Sequence, residues 1–207
     1  MKIYVSFDLE PADRPRIDAA ADDVIYGPGS GEVPAALREA EVVFGNIAPD
    51  WLAQATALRW MQLESVGFGQ YPDVLAGEVG KRVTVTNLAG FFDDPVAESV
   101  LAGLLALLRG IDRSVLLKEA VEWEGDAMRP GFGLLTGARV VIFGHGAIGR
   151  RLGAMLGPFG CTLDTFGSDW DAAALDAALE VADIVVAIAP HTPRTAGVFD
   201  AARIGRM

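Results

Sequence analysis

The sequence predicts an α/β protein built in two parts, and two observations carry that prediction. Short apolar runs at residues 2–7, 41–44, 59–63 and 82–86 alternate with helix-patterned segments at 34–40, 50–57 and 71–77, the signature of a parallel sheet covered by helices. Further on, Gly144, Gly146 and Gly149 follow the apolar run of residues 138–143 directly and open an amphipathic stretch, Arg150-Arg151-Leu152-Gly153-Ala154-Met155-Leu156. Strand, glycine turn and helix in that order set backbone N–H groups and a helix amino end where a phosphate would sit.

Taken in order, the run at residues 2–7 reads as a strand that meets Asp8 too early to be the apolar core of an export signal. The alternating segments continue to a Gly/Phe/Asp turn at 90–94. A helix is expected over 95–108, with Asp93 or Asp94 as N-cap and Pro95 in its first turn. It is apolar on nearly every face, so it should be buried between domains or at a subunit interface. Residues 125–137, with Pro130 and several glycines, read as a linker. A strand at 139–143, a helix at 147–157, a strand at 161–166, a helix at 171–180 and a strand at 183–188 follow. The domain boundaries drawn from this are 1–94, 95–136 and 137–207.

The last part is expected to hold strands 1, 2 and 3 of a doubly wound sheet of order 3-2-1-4-5-6, which would leave the strand at 139–143 as a bare apolar edge. Residues 200–207 read as a helix caught in mid-course. The chain is therefore expected to be an incomplete piece, lacking roughly 80–100 residues of the second half-fold.

Bulk properties exclude several classes. The chain has 207 residues, 51% of them hydrophobic, enough for a real core. Its net charge of −11 is concentrated in residues 1–136, which carry 21 acids against 11 bases, while residues 137–207 carry 7 against 6. An acidic front half repels phosphate backbones and anionic lipid, so neither nucleic acid nor a membrane surface is an expected partner. The longest apolar stretch, residues 99–108, is too short to span a bilayer. The single Cys161 excludes an intramolecular disulfide and a cysteine metal cluster, which suits a reducing cytoplasm, and no metal site is expected. No repeat of fixed period is present.

Within the glycine loop each position has a reason. Gly144 allows the tight turn, Gly146 lets backbone N–H groups approach a pyrophosphate, and Gly149 with Gly153 lets the helix lie close on the sheet.

Four segments together resemble the D-isomer-specific 2-hydroxyacid dehydrogenase family. Arg59-Trp60-Met61-Gln62-Leu63-Glu64-Ser65-Val66-Gly67 resembles the family's strand and small-Gly turn at the substrate site. Val83-Thr84-Val85-Thr86-Asn87-Leu88-Ala89-Gly90, then Val96-Ala97-Glu98, is similar to its entry into the interdomain helix. Residues 144–149 resemble its cofactor loop, and Ala182-Asp183-Ile184-Val185-Val186 through Pro190-His191-Thr192-Pro193-Arg194-Thr195 its strand and turn beside the cofactor ribose.

The resemblance implies a flavodoxin-like N-terminal lid domain at 1–94, an interdomain helix and linker at 95–136, and the first half of a Rossmann dinucleotide-binding domain at 137–207. It implies NAD or NADP as cofactor and hydride transfer at C2 of a small 2-oxo or 2-hydroxy acid. The implied cofactor-binding residues are Gly144, His145, Gly146, Ala147, Ile148, Gly149, Gly167, Ser168, Pro190 and Thr195. Val66 and Gly67 would be backbone donors to the substrate carboxylate. The family's catalytic arginine, carboxylate and histidine have no counterpart in these residues, so no catalytic residue is assigned and the chain alone is expected to be inactive. The alternative is a shortened relative that binds a nucleotide or a partner without chemistry. A homodimer through the helix at 95–108 and the cofactor domain is expected.

His145 is the variable position of the glycine loop and His191 follows the third strand, and neither has a carboxylate spaced for a relay. NAD-binding members carry an acid at the end of strand 2, a place held here by Gly167. Asp164 lies inside the strand, and Asp169 could serve after a short loop. With Ser168 present but no nearby arginine to receive a 2′-phosphate, NAD and NADP are not separated. Ala147 stands where the family often has a long basic side chain, a loss worth about 1 kcal/mol. Arg203 and Arg206 read as solvated surface charges. Phe68, Phe91 and Phe92 are expected to pack, Glu98 to need a cap or salt-bridge partner, and Cys161 to be a small buried hydrophobe.

Overall fold

The computed structural model describes Met1–Met207 and resolves into two compact units, Met1–Ala89 and Gly90–Met207. No helix is long and apolar enough to cross a membrane.

The first unit runs β1 (Lys2–Val5), α1 (Arg14–Asp18), β2 (Asp23–Tyr26), a 3-10 turn (Ala35–Glu39), β3 (Val42–Phe44), α2 (Trp51–Gln54), β4 (Trp60–Gln62), α3 (Pro72–Leu75), α4 (Glu78–Arg82) and β5 (Thr84–Thr86). All strands pair in parallel, in the order β2-β1-β3-β4-β5, which is the flavodoxin-like order. Register explains the core. Ile25, Tyr4, Val43, Met61 and Val85 form one row across the five strands and pack with Leu37, Trp51, Leu52 and Tyr71 in one cluster. The next row along, starting from Ile3, Val24 and Val42, faces the opposite side and packs with Ile17 of α1. Arg82 of α4 donates to the Leu52, Ala55 and Leu58 carbonyls at 2.8, 2.9 and 3.1 Å, satisfying acceptors that the short α2 leaves open. Strand β2 is not foreseen in the sequence.

The second unit runs α5 (Asp93–Leu108), α6 (Ile111–Ala120), a 3-10 turn (Gly125–Gly131), β6 (Arg139–Phe143), α7 (Ala147–Leu156), β7 (Thr162–Phe166), α8 (Ala172–Leu179), β8 (Ile184–Ala187) and α9 (Ala201–Ile204). Its parallel sheet has the order β7-β6-β8, so β6 is central. The expectation of a bare edge at residues 139–143 is overturned. The connection after β7 returns across β6, and the third strand pairs on the far side, where Val141 meets Val185. The helices therefore lie on opposite faces. Leu152 and Leu156 of α7 pack with Val140 and Ile142, whereas Leu175 and Leu179 of α8 pack with Val141 and Phe143.

Two other expectations are corrected, on the helix cap and on Glu98. Asp93 and Asp94 lie inside the first turn of α5, with Phe92 as N-cap, and Asp94 pairs with Arg151 of α7. Their charge suits the helix amino end without capping it. The helix itself is buried on one stripe only. Ala97 is fully buried and Val100, Leu101, Leu104, Leu105 and Leu108 pack partly against the core, a helical 3–4 spacing, but Leu107 is 67% exposed. Glu98 is exposed and needs no partner.

Arg203 and Arg206 are ion-paired rather than free surface charges. Arg203 donates to Asp176 at 2.7 Å and to the Val198 carbonyl at 2.8 Å, while Arg206 reaches Asp176 and Glu180 at 3.7 and 3.6 Å, which fastens α9 to α8. The Arg203 hydrogen bond, with both arginine charges adding, holds the Asp176 carboxyl below its ordinary value. A lowered folded-state value gives a stabilisation that is complete above the ordinary carboxylate pKa of about 3.9 and is lost as pH falls through the lowered one. Asp176→Asn should therefore be less stable than wild type near pH 6 in urea unfolding, and the gap should narrow as pH falls below the ordinary carboxylate pKa of about 3.9. A gap that stays constant with pH would rule out this account.

Candidate dinucleotide site

The site forms where β6, β7 and β8 end. Gly144 follows β6 at φ +122°, a conformation L side chains rarely adopt, and an added Cβ there would lie 2.5 Å from the Ala189 nitrogen. Its N–H and that of His145 donate to the Phe166 carbonyl at 2.8 and 3.1 Å, tying the turn to the end of β7. A Cβ on Gly149 would lie 2.2 Å from the Gly144 carbonyl oxygen, so α7 approaches the turn backbone to backbone. Gly146 differs. It is the N-cap of α7, and a Cβ there would meet nothing within 4 Å.

The three short helices of this sheet are not treated alike. Asp171 caps α8 by accepting from the Ala174 N–H at 2.9 Å, and Asp200 caps α9 by accepting from the Arg203 N–H at 2.8 Å. Helix α7 has no side-chain cap and no acid in its first turn. Its first intrahelical bond is Arg150 N–H to the Gly146 carbonyl, so the N–H groups of Ala147, Ile148 and Gly149 point out of the helix end unpaired. The partial positive charge there favours an anion.

A cavity of about 490 Å³ opens beside this end. It is lined by Gly144, His145 and Gly146 from the first turn, Gly167, Ser168 and Trp170 from the second, and Ala189, Pro190, Thr192, Arg194 and Thr195 from the third. It sits at the carboxyl ends of parallel strands whose connections diverge to opposite faces, the place where α/β sheets bind ligands. The third turn is braced internally: the Thr195 hydroxyl donates to the Pro190 carbonyl at 2.6 Å and accepts from the Thr192 N–H at 2.8 Å. Trp170 is stacked edge-on against Phe143, and its buried Nε1 has no partner. The glycine cradle, the uncapped helix end and the cavity fit a dinucleotide whose pyrophosphate lies over Gly146.

Of the residues expected to hold the cofactor, Gly144, His145, Gly146, Gly167, Ser168, Pro190 and Thr195 line this cavity, while Ala147, Ile148 and Gly149 form the helix start beneath it. Asp164 lies in β7, 3.8 Å from Arg139, and is turned to that partner. Sequence reading missed Trp170, Thr192 and above all Arg194, which donates to the Ser168 carbonyl at 2.7 Å and the Trp170 carbonyl at 3.2 Å. The expectation of no arginine near Ser168 is corrected, since 26 residues of chain separate the two. Cys161 donates to the Leu135 carbonyl at 3.2 Å, and burial pushes its thiol up, as a small packed residue requires.

In the first unit, Val66 and Gly67 sit in the turn after β4. The turn's carbonyls are taken: Asn87 donates to Val66 O at 2.8 Å, and the Ser65 hydroxyl donates to Gly67 O at 2.8 Å while accepting from Asn46 at 3.2 Å. The amides of Val66 and Gly67 have no protein acceptor. Phe68 lines an open groove with Leu63, Val85 and Asn87. Phe91 and Phe92, in the second unit, stack on each other at 5.0 Å.

Residues 101–207 match the model of the D-isomer specific 2-hydroxyacid dehydrogenase family, NAD binding domain. The chain belongs to this family. Among curated proteins it is 28% identical over 204 residues to an uncharacterised protein of the proB 3′ region of Corynebacterium melassecola, covering 93% of this chain and 66% of that one. Its fold is that of the NAD-dependent formate dehydrogenase of Staphylococcus aureus in complex with NAD (TM-score 0.82, 20% identity, all of this chain and 70% of that one). It is equally that of the D-lactate dehydrogenase of Aquifex aeolicus complexed with NAD and lactic acid (TM-score 0.82, 22% identity, all of this chain and 66% of that one). This dehydrogenase-family chain thus spans about two thirds of the length of those relatives. Membership makes NAD or NADP the cofactor to which the loop corresponds.

The three loop glycines should separate on substitution. Gly144→Ala and Gly149→Ala should each lower unfolding stability by about 2 kcal/mol or more, through strain and overpacking. Gly146→Ala should keep stability within about 0.5 kcal/mol and lose dinucleotide affinity, because its space is filled only by the ligand. Urea unfolding and calorimetric titration of NADH on the same proteins check this. Equal stability losses at all three positions would contradict it.

Proposed function

We propose that this protein is an NAD(P)-dependent oxidoreductase acting on the CH–OH group of a small 2-hydroxy acid, or in reverse on the 2-oxo acid. The observation that carries the reading is the glycine turn after β6, which brings the unpaired N–H groups at the start of α7 to a cavity at the carboxyl ends of β6, β7 and β8. In this reading the N–H groups of residues 147–149 hold the pyrophosphate, with Gly144 and His145 shaping the turn. Gly167 and Ser168 border the adenosine ribose, and Pro190 with Thr195 forms the opposite wall. The bound dinucleotide supplies the hydride acceptor or donor for C2 of the substrate. The free amides of Val66 and Gly67, held outward because Ser65 and Asn87 occupy the turn's carbonyls, receive the substrate carboxylate.

The proton has no carrier among these residues. His145 and His191 are both exposed on turns, and neither side chain hydrogen-bonds a carboxylate. The 207-residue chain by itself therefore binds the dinucleotide and does not turn over. Its lone free thiol supports a cytoplasmic setting. Calorimetry with NADH or NADPH should give saturable binding below millimolar concentration, and assays with glyoxylate, hydroxypyruvate or pyruvate should give no rate above background. No binding would remove the oxidoreductase reading, and robust turnover would remove the claim that the proton carrier lies outside these residues.

A homodimer is part of the proposal. Leu107 of α5, with Ile111, Val115 and Leu116 of α6 and Trp123, are exposed apolar side chains close in sequence, and Trp123 is 90% exposed. Sedimentation should find a dimer at micromolar concentration, and Leu116→Glu should shift it to monomer while leaving the NADH affinity unchanged. A wild-type monomer would exclude it.

A further inference from the structure

We propose that Arg194 makes this chain selective for the dinucleotide carrying a 2′-phosphate, NADP(H), over NAD(H); this rests on the dinucleotide reading above. A protein that prefers NAD places a carboxylate at the end of the second strand, where it accepts from the ribose hydroxyls and repels a phosphate. Here that end is Gly167, which has no side chain, and no acid lines the cavity. Asp164 is turned to Arg139, and Asp169, although its Oδ1 lies 3.3 Å from where a Gly167 Cβ would be, does not line the cavity.

Arg194 is the cavity's one guanidinium, and its position is fixed from two sides. Nη1 donates to the Ser168 carbonyl at 2.7 Å and Nη2 to the Trp170 carbonyl at 3.2 Å, and the group lies 5.9 Å from the Trp170 ring centroid. A guanidinium has five N–H donors, so three remain. Both partners are carbonyls, and no carboxylate lies within ion-pair distance, so its charge stays unneutralised, unlike Arg151 and Arg203. A cation held at the strand-2 end by the Ser168 and Trp170 carbonyls, with no carboxylate in ion-pair contact, has the chemistry of a 2′-phosphate receptor.

The test is equilibrium binding of NADPH and NADH to the whole chain by calorimetry and tryptophan fluorescence. NADPH should bind about tenfold tighter or more at low salt, the worth of one charge-assisted contact, and its advantage should shrink as ionic strength rises. Arg194→Gln should remove most of that advantage by weakening NADPH at least about fivefold more than NADH, with urea unfolding showing that the variant is folded. Arg194→Lys should restore part of it, keeping the charge without the fork. Equal affinities, tighter NADH, or an unchanged NADPH preference in Arg194→Gln would overturn the assignment and leave the dinucleotide reading intact. Failure of both nucleotides to bind would overturn both. A large gain in NADPH affinity in Asp169→Asn, with no effect of Arg194→Gln, would assign the ribose to Asp169 instead.

Discussion

The second unit depends on a backbone contact that no side chain could survive. Gly149 brings α7 so near that a Cβ would sit 2.2 Å from the Gly144 oxygen, and Gly144 passes equally close to the backbone at Ala189. The first contact sets the helix angle over β6, and with it the burial of Leu152 and Leu156 on Val140 and Ile142. The second joins the turn after β6 to the segment after β8, so the cavity floor is one continuous backbone surface. The left-handed φ of Gly144 is what lets the chain reverse there without strain. Packing and ligand geometry therefore share one origin.

Much of this was legible because the relevant signals are local. The β-branched apolar run Val140-Val141-Ile142-Phe143 gives the strand, and the glycine spacing gives the turn and the helix start. Much of the strand-and-helix succession of the first unit was readable for the same reason, but not α1 and α4, helices of a single turn, nor β2, where Asp23-Val24-Ile25-Tyr26 is a short edge strand of mostly half-buried residues with little apolar contrast. The place of β8 was not legible. A crossover that passes to the far side of β6 leaves the same strand and helix patterns as one that continues outward. Arg194 was missed for a related reason, since it reaches Ser168 only once the turns after β7 and β8 converge over the end of β6. Arg203 likewise looked like surface charge until the fold brought Asp176 beside it.

Charge is distributed to match. Acids serve as caps on α8 and α9, support the first turn of α5 and pair with Arg151 of α7 and Arg203 of α9. They are absent from the cavity lining and from the first turn of α7. In a chain of net charge −11 that vacancy matters, because it spares an anionic ligand local carboxylate repulsion. Local placement thus overrides the unfavourable total.

The unpaired polar atoms follow the same division. No polar or charged residue is fully buried in either core, yet Trp170 Nε1 and Asn46 Oδ1 are sequestered without a partner. Each such atom costs about 1–3 kcal/mol. Trp170 lines the cavity, and Asn46 braces Ser65 in the turn that carries Val66 and Gly67. Apolar cores carry the stability of each unit, and unsatisfied groups are tolerated beside the strand ends, where geometry is kept for a ligand rather than for folding.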